Sequence, residues 1–464
     1  MKVLPLICAA AVLHTANPTG NAADRPKKKT PTPVESKPAD EARSVRKPLL
    51  YTEYDLENGL HVILHQNHSA PVISTYMLYK VGSKNERPDR TGFAHFFEHL
   101  MFEGSEHIPR GTIDKYISGA GGNLNASTSF DQTDYYFNLP AHQLKLALWI
   151  ESERLLHARI DETGVETQRS VVKEERRRSY DNQPYGSLFE ELAKLVFQGT
   201  PYQWVPIGSF QYIDQANIQE FRDFHATYYR PENATLVIAG DFQEADARGI
   251  VSDYFAAIPK GKQIERPKFE WKLDVKGTSK DVVKKNTPLP AIVHAWRAPS
   301  ETHADAYPLE MLAQILGKGR SSRLYQSLVE KKGLAMSAVP YCYLLENAGV
   351  FALSVTGQSG VTLEELDEVL KSEIAKVMAE GVTPDELQKA RNAIEAQYAE
   401  SGGTMHERAE AMAHYHMFYG DTSLVNTELE RYLKVKREDL QRVAKTYLTE
   451  TGRHTLRFPL PESK

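Results

Sequence analysis

The sequence predicts an α+β fold of two structurally related halves, each a mainly antiparallel sheet packed with helices. Strand patterns occur in consecutive groups and helical patterns follow in runs, which favours separate layers over an alternating parallel fold. The same order of elements occurs twice, before and after a Pro- and charge-rich stretch at 262–290. With 464 residues, 41% of them hydrophobic, the chain has ample material for two sizeable cores.

The first half opens with a predicted hairpin. Residues 51–56 and 61–65 alternate in polarity and flank Glu57-Asn58-Gly59, and an Asn-Gly pair is a strong hairpin signal. The patterns that follow predict a strand at 71–81, helices at 88–103 and 110–119, strands at 122–129 and 132–139, helices over 141–227, a buried strand at 234–240 and a helix leading into 258–261.

The second half repeats this order. Its patterns predict a strand at 291–297, helices at 304–317 and 320–330, strands at 337–345 and 349–356, and helices at 362–380, 384–400, 405–419 and 437–448. We therefore predict domains at 49–261 and 291–464, joined by a linker at 262–290.

The first 48 residues have the pattern of an export signal followed by a tether. Lys2 precedes an apolar run, Val3 to Leu13, that is too short to span a bilayer, and small residues follow it. We predict a signal peptide at 1–23, although a partly buried helix is the alternative. Residues 24–48 are rich in Pro, Lys and Glu and predict a disordered linker. The expected location is periplasmic or secreted, without stable membrane insertion.

Charge and cysteine content exclude two classes of site. The net charge is −5, from 56 basic and 61 acidic residues, so the sequence lacks the basic excess of a nucleic-acid binder. Cys8 and Cys342 are the two cysteines, too few for a cysteine-based zinc site. Any metal must therefore be held by histidines and carboxylates.

A metal-binding pattern lies at His95, Glu98 and His99. On a helix the two histidines lie about 40° apart on one face, and Glu98 lies about 60° from His95 on its other side. This is H-x-x-E-H, the inverse of the zincin motif. Neighbouring phenylalanines make the helix apolar nearly all round, and buried polar side chains need partners, which a metal supplies. The alternative is a pair of core histidines with a salt-bridged glutamate.

A catalytic zinc takes three protein ligands and keeps one position open. On a later helical stretch, Val165, Gln168, Val172 and Glu175 recur on a single inward stripe, whereas Glu174 turns away toward a run of arginines. Glu175 is therefore the preferred third ligand, with a solvated glutamate as the alternative.

From about Tyr51 onward the chain resembles the pitrilysin and insulysin superfamily of inverted-motif zinc peptidases. It is most similar to the half-size branch that includes the mitochondrial processing peptidases. Four motifs carry the resemblance: GFAHFFEHLMFEG (92–104), GGNLNAST (121–128), VVKEE (171–175) and YYRPENATLVIAGD (228–241).

The resemblance implies one Zn²⁺ per chain, held by His95, His99 and Glu175. In this family the third ligand follows the second histidine by about 76 residues, and Glu175 follows His99 by 76. Glu98 would then be the general base acting on a zinc-bound water. The resemblance also implies that a peptide substrate adds as a strand beside Asn125 and Ala126.

Two departures from the family pattern affect the predicted site. Gln168 stands where the family usually has an acidic residue, and we expect it to tune the site from the second coordination shell. Val329 and Met336 stand where self-sufficient members carry an Arg and a Tyr, and neither can donate a hydrogen bond to an oxyanion. Arg323 and Tyr325 lie close by, at the wrong spacing to replace them.

These patterns predict a zinc metalloendopeptidase subunit that cleaves short or unfolded peptides in an enclosed chamber. A homologous partner subunit would supply the Arg and Tyr, and the heterodimer would close as a clamshell. The alternatives are a non-catalytic scaffold subunit and a self-sufficient homodimeric peptidase. Other histidines, including His61, His65, His414 and His416, are expected to be solvated surface residues.

Overall fold

The computed structural model describes residues 47–284 and 286–461. The predicted signal peptide and nearly all of the predicted tether lie outside the described residues. Within the described part of the chain, no helix combines the length and the apolarity needed to cross a bilayer.

Six strands form the first sheet, in the order β1-β2-β6-β3-β5-β4. Their bounds are β1 Thr52–Asp55, β2 His61–Gln66, β3 Val72–Tyr79, β4 Asn123–Thr128, β5 Thr133–Pro140 and β6 Ala234–Gly240. The helices of this half are α1 Phe93–Leu100, α2 Ile113–Gly119, α3 Leu144–His157, α4 Glu162–Arg176, α5 Leu188–Val196, α6 Phe210–Gln215, α7 Ile218–Tyr228 and α8 Glu244–Phe255.

Five strands form the second sheet, in the order β7-β11-β8-β10-β9. Their bounds are β7 Ser279–Asp281, β8 Ala291–Ala298, β9 Ala335–Leu344, β10 Gly349–Gly357 and β11 His454–Phe458. The helices of this half are α9 Ala306–Gly317, α10 Leu363–Glu380, α11 Pro384–Glu400, α12 Met405–His414, α13 Leu424–Leu433 and α14 Arg437–Tyr447.

The two sheets have the same topology. The order β2-β6-β3-β5-β4 in the first sheet corresponds to β7-β11-β8-β10-β9 in the second. In each sheet the parallel pair lies at the same place, β2 with β6 and β7 with β11, and the other pairs are antiparallel. The predicted α+β fold of two related halves is therefore confirmed, and β4 and β9 are corresponding edge strands.

The predicted hairpin is present, and its turn requires glycine. Asp55 pairs with His61 across the turn. Gly59 has φ +89°, and a Cβ there would lie 2.8 Å from the Cβ of Glu232, so both conformation and space exclude other residues. Asn58 fixes the turn to α8 by donating to the carbonyls of Phe255 and Ile258, at 2.8 and 2.9 Å.

The second half also covers part of the first sheet. Helix α12 packs on β3 and β6, where Ala409 and Met412 join a buried cluster with Ile63 and Tyr76. Small side chains on α12 allow its backbone to approach the sheet closely. This helix fixes the position of the first sheet relative to the second half.

Some sequence-based expectations were wrong. The predicted linker at 262–290 contains β7, which belongs to the second sheet, and the helices expected over 141–227 are interrupted by turns at 197–209, between α5 and α6. Strands β7 and β11 and helix α13 were not predicted. β7 is only three residues long, and all three residues are exposed. Among the described strands it pairs only with β11, some 170 residues later in the chain. The local sequence pattern therefore gives little indication of this strand.

His225 on α7 is partly buried and makes the stability of the fold sensitive to acid. Burial lowers the pKa of His225 from its ordinary 6.5 to about 4, although the Arg154 carbonyl, 3.2 Å from its Nε2, opposes the shift. A lowered pKa means that the folded state favours the neutral ring. The stabilisation is therefore complete above pH 6.5 and is lost as pH falls toward 4.

We expect the replacement His225→Gln to weaken the dependence of the unfolding free energy on pH. Between pH 6.5 and 5 the wild-type chain should lose about 1.6 kcal/mol more unfolding free energy than the variant, because the slope reaches its limit of about 1.4 kcal/mol per pH unit only below pH 6.5. Urea unfolding at both pH values measures the difference. If both proteins lost the same amount of unfolding free energy, protonation of His225 would not be coupled to unfolding.

Candidate metal centre

Helix α1 carries the H-x-x-E-H pattern, and its start is fixed by Gly92 and Glu86. Gly92 has φ +99° and lies against the backbone of Gly208, where an added Cβ would approach within 3.1 Å. The buried carboxylate of Glu86 accepts from the backbone N–H groups of Gly92 and Ala94, at 2.9 and 2.8 Å. A carboxylate at a helix N-terminus satisfies orphan donors and complements the helix dipole.

The two histidines of α1 and Glu175 of α4 converge on one point. The rings of His95 and His99 are 4.8 Å apart and nearly perpendicular, at 80°. Oε2 of Glu175 lies 3.5 Å from Nε2 of His95 and 3.3 Å from Nε2 of His99. Ligands at 2.0–2.1 Å around a tetrahedral ion are about 3.3 Å apart, so these separations fit a shared metal.

Helix α4 presents Glu175 inward, as the stripe predicts. Val165 and Val172 are buried, and Glu174 points out, with its carboxylate 3.3 Å from Arg177. Asp161 caps the helix by accepting from the N–H of Gly164 at 2.8 Å.

The electrostatics of the cluster favour a cation. Burial by itself raises the pKa of Glu175, but hydrogen bonds with His95 and His99 reverse this and hold the pKa well below its usual value. Burial lowers the pKa of His95, yet Glu175 and Glu98 outweigh it and raise the pKa. Two imidazoles and an ionised carboxylate are a donor set that Zn²⁺ prefers.

Glu98 lies beside this cluster and is held by β4. The hydroxyl of Thr128, the last residue of β4, donates to Oε2 of Glu98 at 2.6 Å. This hydrogen bond ties the candidate base to the edge strand. Sequence reasoning did not find Thr128, because the contact joins residues 30 positions apart through tertiary packing.

Two family models match, one described as Insulinase (Peptidase family M16) over residues 61–205 and one described as Peptidase M16 inactive domain over 215–394. The zinc protease PqqE of Helicobacter pylori is 30% identical over 404 residues, which are 86% of this chain and 91% of that protein. The chain belongs to peptidase family M16.

Solved structures agree on the M16 fold. The crystal structure of a protease from Helicobacter pylori has a TM-score of 0.85 at 28% identity, covering 89% of this chain and 100% of that chain. Pitrilysin has a TM-score of 0.74 at 18% identity, covering 91% of this chain and 47% of that chain. This chain thus spans about half of pitrilysin and is a half-size member of the M16 family.

Strand β4, which holds Thr128, is the edge of the first M16 sheet. Among the described strands it pairs only with β5. Its residues alternate in exposure: Asn125 is exposed and Ala126 is half-buried. The outer edge of β4 is therefore available for another extended segment.

The structure gives Gln168 a partner beyond the metal cluster. Its amide donates to Oε1 of Glu103 at 2.6 Å. Glu103 also pairs with Arg110, which reaches Asp161 at the start of α4. Gln168 thus belongs to a polar chain that connects the segment after α1 to α4.

The histidines expected to be solvated are not. His65 is buried, with Nδ1 2.6 Å from the carbonyl of Leu50, and His414 is buried with Nε2 2.9 Å from Glu301. His61 and His416 are half-buried and stacked on each other. Helix α12 packs against the first sheet, and this contact between halves was not visible in local sequence.

Val329 and Met336, which stand in place of the family's Arg and Tyr, lie in the second half of the chain. Val329 packs against the second core, and Met336 on the edge strand β9 is 49% exposed. Arg323 makes a two-pronged ion pair with Glu386, at 2.6 and 2.7 Å, and is therefore already engaged.

Removing the Thr128 hydroxyl is expected to slow peptide cleavage. A hydrogen bond to a charged group contributes about 1.5–3 kcal/mol, so Thr128→Val should lower kcat about tenfold or more while zinc content stays unchanged. The neighbouring variant Ser127→Ala is the control, since Ser127 donates to Asp134 instead. Equal rates for both variants would exclude a role for this contact.

Proposed function

We propose that this M16 chain is the zinc-bearing subunit of a metalloendopeptidase. His95, His99 and Glu175 would hold Zn²⁺, which when bound supplies a Lewis acid that polarises the scissile carbonyl. The observation that carries the proposal is the convergence of these three side chains beside Glu98, itself fixed by Thr128.

Glu98 would act as the general base. Its carboxylate takes a proton from the attacking water and later returns it to the leaving amine. Because Thr128 donates to one carboxylate oxygen of Glu98, the other oxygen is available to take up and return the proton. Gln168 would support the site indirectly, through Glu103 and the segment between α1 and α4.

Short or unfolded peptides are the proposed substrates. An extended peptide would pair with the free edge of β4 alongside Asn125 and Ala126. Main-chain pairing gives affinity with little dependence on side chains, so broad sequence preference is expected. The edge strand leads directly to Thr128 and Glu98, which brings a bound backbone toward the metal centre.

A homologous partner is proposed to complete the chamber. Val329 and Met336 cannot supply the donors that an oxyanion needs, and Arg323 is paired with Glu386. A second M16-like subunit carrying the Arg and Tyr would close on this chain as a clamshell. The alternatives are a scaffold subunit without activity and a homodimer active by itself.

We also propose export and the predicted domain division. A solved relative is described as the periplasmic protease PqqL from Escherichia coli, and the sequence pattern of residues 1–23 fits the same location. The proposed domains at 49–261 and 291–464 are joined by a linker at 262–290, and that linker includes β7 of the second sheet, Ser279–Asp281.

The test is cleavage of an unstructured fluorogenic peptide by the purified chain, with zinc measured on the same sample. We expect one zinc in this site and little cleavage until the partner subunit is added. Cleavage by the chain alone would refute the partner requirement and favour a homodimer. A chain whose site holds zinc but that stays inactive with its partner would be a scaffold.

A further inference from the structure

A second group of metal-ligating side chains lies where the two halves meet. Glu53 is on β1, His61 is on β2, and His416 lies in the single turn of π-helix at Tyr415–Tyr419 that continues α12. One donor atom of each residue lies within 4.8 Å of the others. The group shares no residue with the M16 metal centre.

We propose that Glu53, His61 and His416 form a second Zn²⁺ site, which fastens the β1–β2 hairpin to the segment after α12. Such a site joins residues 355 positions apart in the sequence, from His61 to His416. Its function is to hold the two halves in register, and it does not depend on peptidase activity.

His61 is prepared as a ligand by its neighbour Asp55. Nδ1 of His61 is 2.8 Å from the Asp55 carboxylate, which only accepts hydrogen bonds, so Nδ1 carries the proton. Nε2 then has a free lone pair. This nitrogen is buried, lies 3.5 Å from Glu53, and has no hydrogen bond from any described residue. A carboxylate behind a metal-binding histidine is a common arrangement.

His416 lies directly against His61. It is half-buried, and its ring is parallel to that of His61, with centroids 3.3 Å apart and planes at 4°. Because the planes are parallel, one ring must rotate for both lone pairs to meet one ion, and ring rotation about χ2 is soft.

Glu53 supplies the negative charge of the proposed site and connects the site to solvent. The hydroxyl of Thr422 donates to its Oε2 at 2.7 Å, which orients the carboxylate. The Glu53 side chain is 40% exposed, so an ion can reach the group from solvent. Two imidazoles and one carboxylate match the ligand types of zinc.

A third group, His107, Glu153 and His157, offers a matched comparison. Its histidine rings are 5.2 Å apart at 90°. However, Nδ1 of His107 is already hydrogen-bonded to Glu153, at 3.0 and 3.1 Å to its two oxygens, and the His107 side chain is 56% exposed. We therefore expect no stable binding there.

The test is the zinc content of the full chain after equilibration with Zn²⁺ and removal of free metal. The wild type should hold two equivalents, and His416→Ala and Glu53→Gln should each hold one. His107→Ala should keep both. One equivalent in the wild type, or a loss in His107→Ala without a loss in His416→Ala, would overturn the assignment.

A second measurement separates metal loss from misfolding. Glu53→Gln keeps the side-chain shape and an oxygen that can accept from Thr422, so this variant should fold normally. Its melting temperature without metal should equal that of the wild type, whereas the further rise on adding a second equivalent of Zn²⁺ should disappear. A rise equal to that of the wild type would refute the role of Glu53. Zinc in the M16 centre and peptide cleavage should be unaffected.

Discussion

Replacing Glu98 by Gln is expected to abolish peptide cleavage while zinc stays bound. Glutamine cannot accept a proton, and general base catalysis contributes about 10²–10⁴-fold, so we expect kcat to fall by about 10³-fold. The variant keeps the shape of the side chain and an oxygen that can accept from Thr128. The measurement is cleavage of an unstructured peptide by the complete enzyme, together with zinc analysis.

The control for this variant is Glu106→Gln, at a carboxylate that is 68% exposed and belongs to the loop after α1. It should cleave at the wild-type rate. If Glu98→Gln retained more than a tenth of the wild-type rate, the proposed base would be wrong. If it lost zinc as well, the residue would instead be part of the metal support.

Glu175→Gln should remove zinc from the M16 centre. An amide oxygen carries no charge, and loss of the only anionic ligand should weaken binding by more than the 10- to 100-fold typical of outer-shell changes. Cleavage should fall in parallel and should recover partly at high Zn²⁺. The measurements are zinc affinity by competition with a chelating dye and activity on the same samples.

Glu174→Gln is a closely matched control, because it changes the adjacent residue on the same helix. Glu174 is 70% exposed and its partner is Arg177, so neither affinity nor cleavage should change. Should Glu174→Gln lose zinc and Glu175→Gln keep it, the assignment of the third ligand would be reversed.

The sequence indicated much of the candidate M16 metal centre because the features of that site are local. His95, Glu98 and His99 fall within one helical turn and a half, and the apolar stripe of α4 distinguishes Glu175 from Glu174. Likewise, the Asn58-Gly59 turn predicted the β1–β2 hairpin. In each case neighbours in the chain carry the pattern.

Contacts between distant segments could not be predicted in this way. Thr128 reaches Glu98 because β4 lies beside α1, and Glu86 caps α1 through a bend in the chain before it. The stacking of His61 on His416 requires α12 to cross onto the first sheet. None of these pairs is related by a regular spacing along the chain.

The sequence by itself determined the fold class, the duplicated order of elements and the candidate ligands of one metal. Those properties depend on hydrophobic periodicity and short-range spacing, which a single chain displays directly. Only the tertiary structure decided which side chains support Glu98 and how α12 covers the first sheet. It also decided that four histidines expected in solvent are buried or half-buried, two of them stacked on each other. These contacts are set by packing between elements far apart in the chain, and no local sequence pattern predicts that packing.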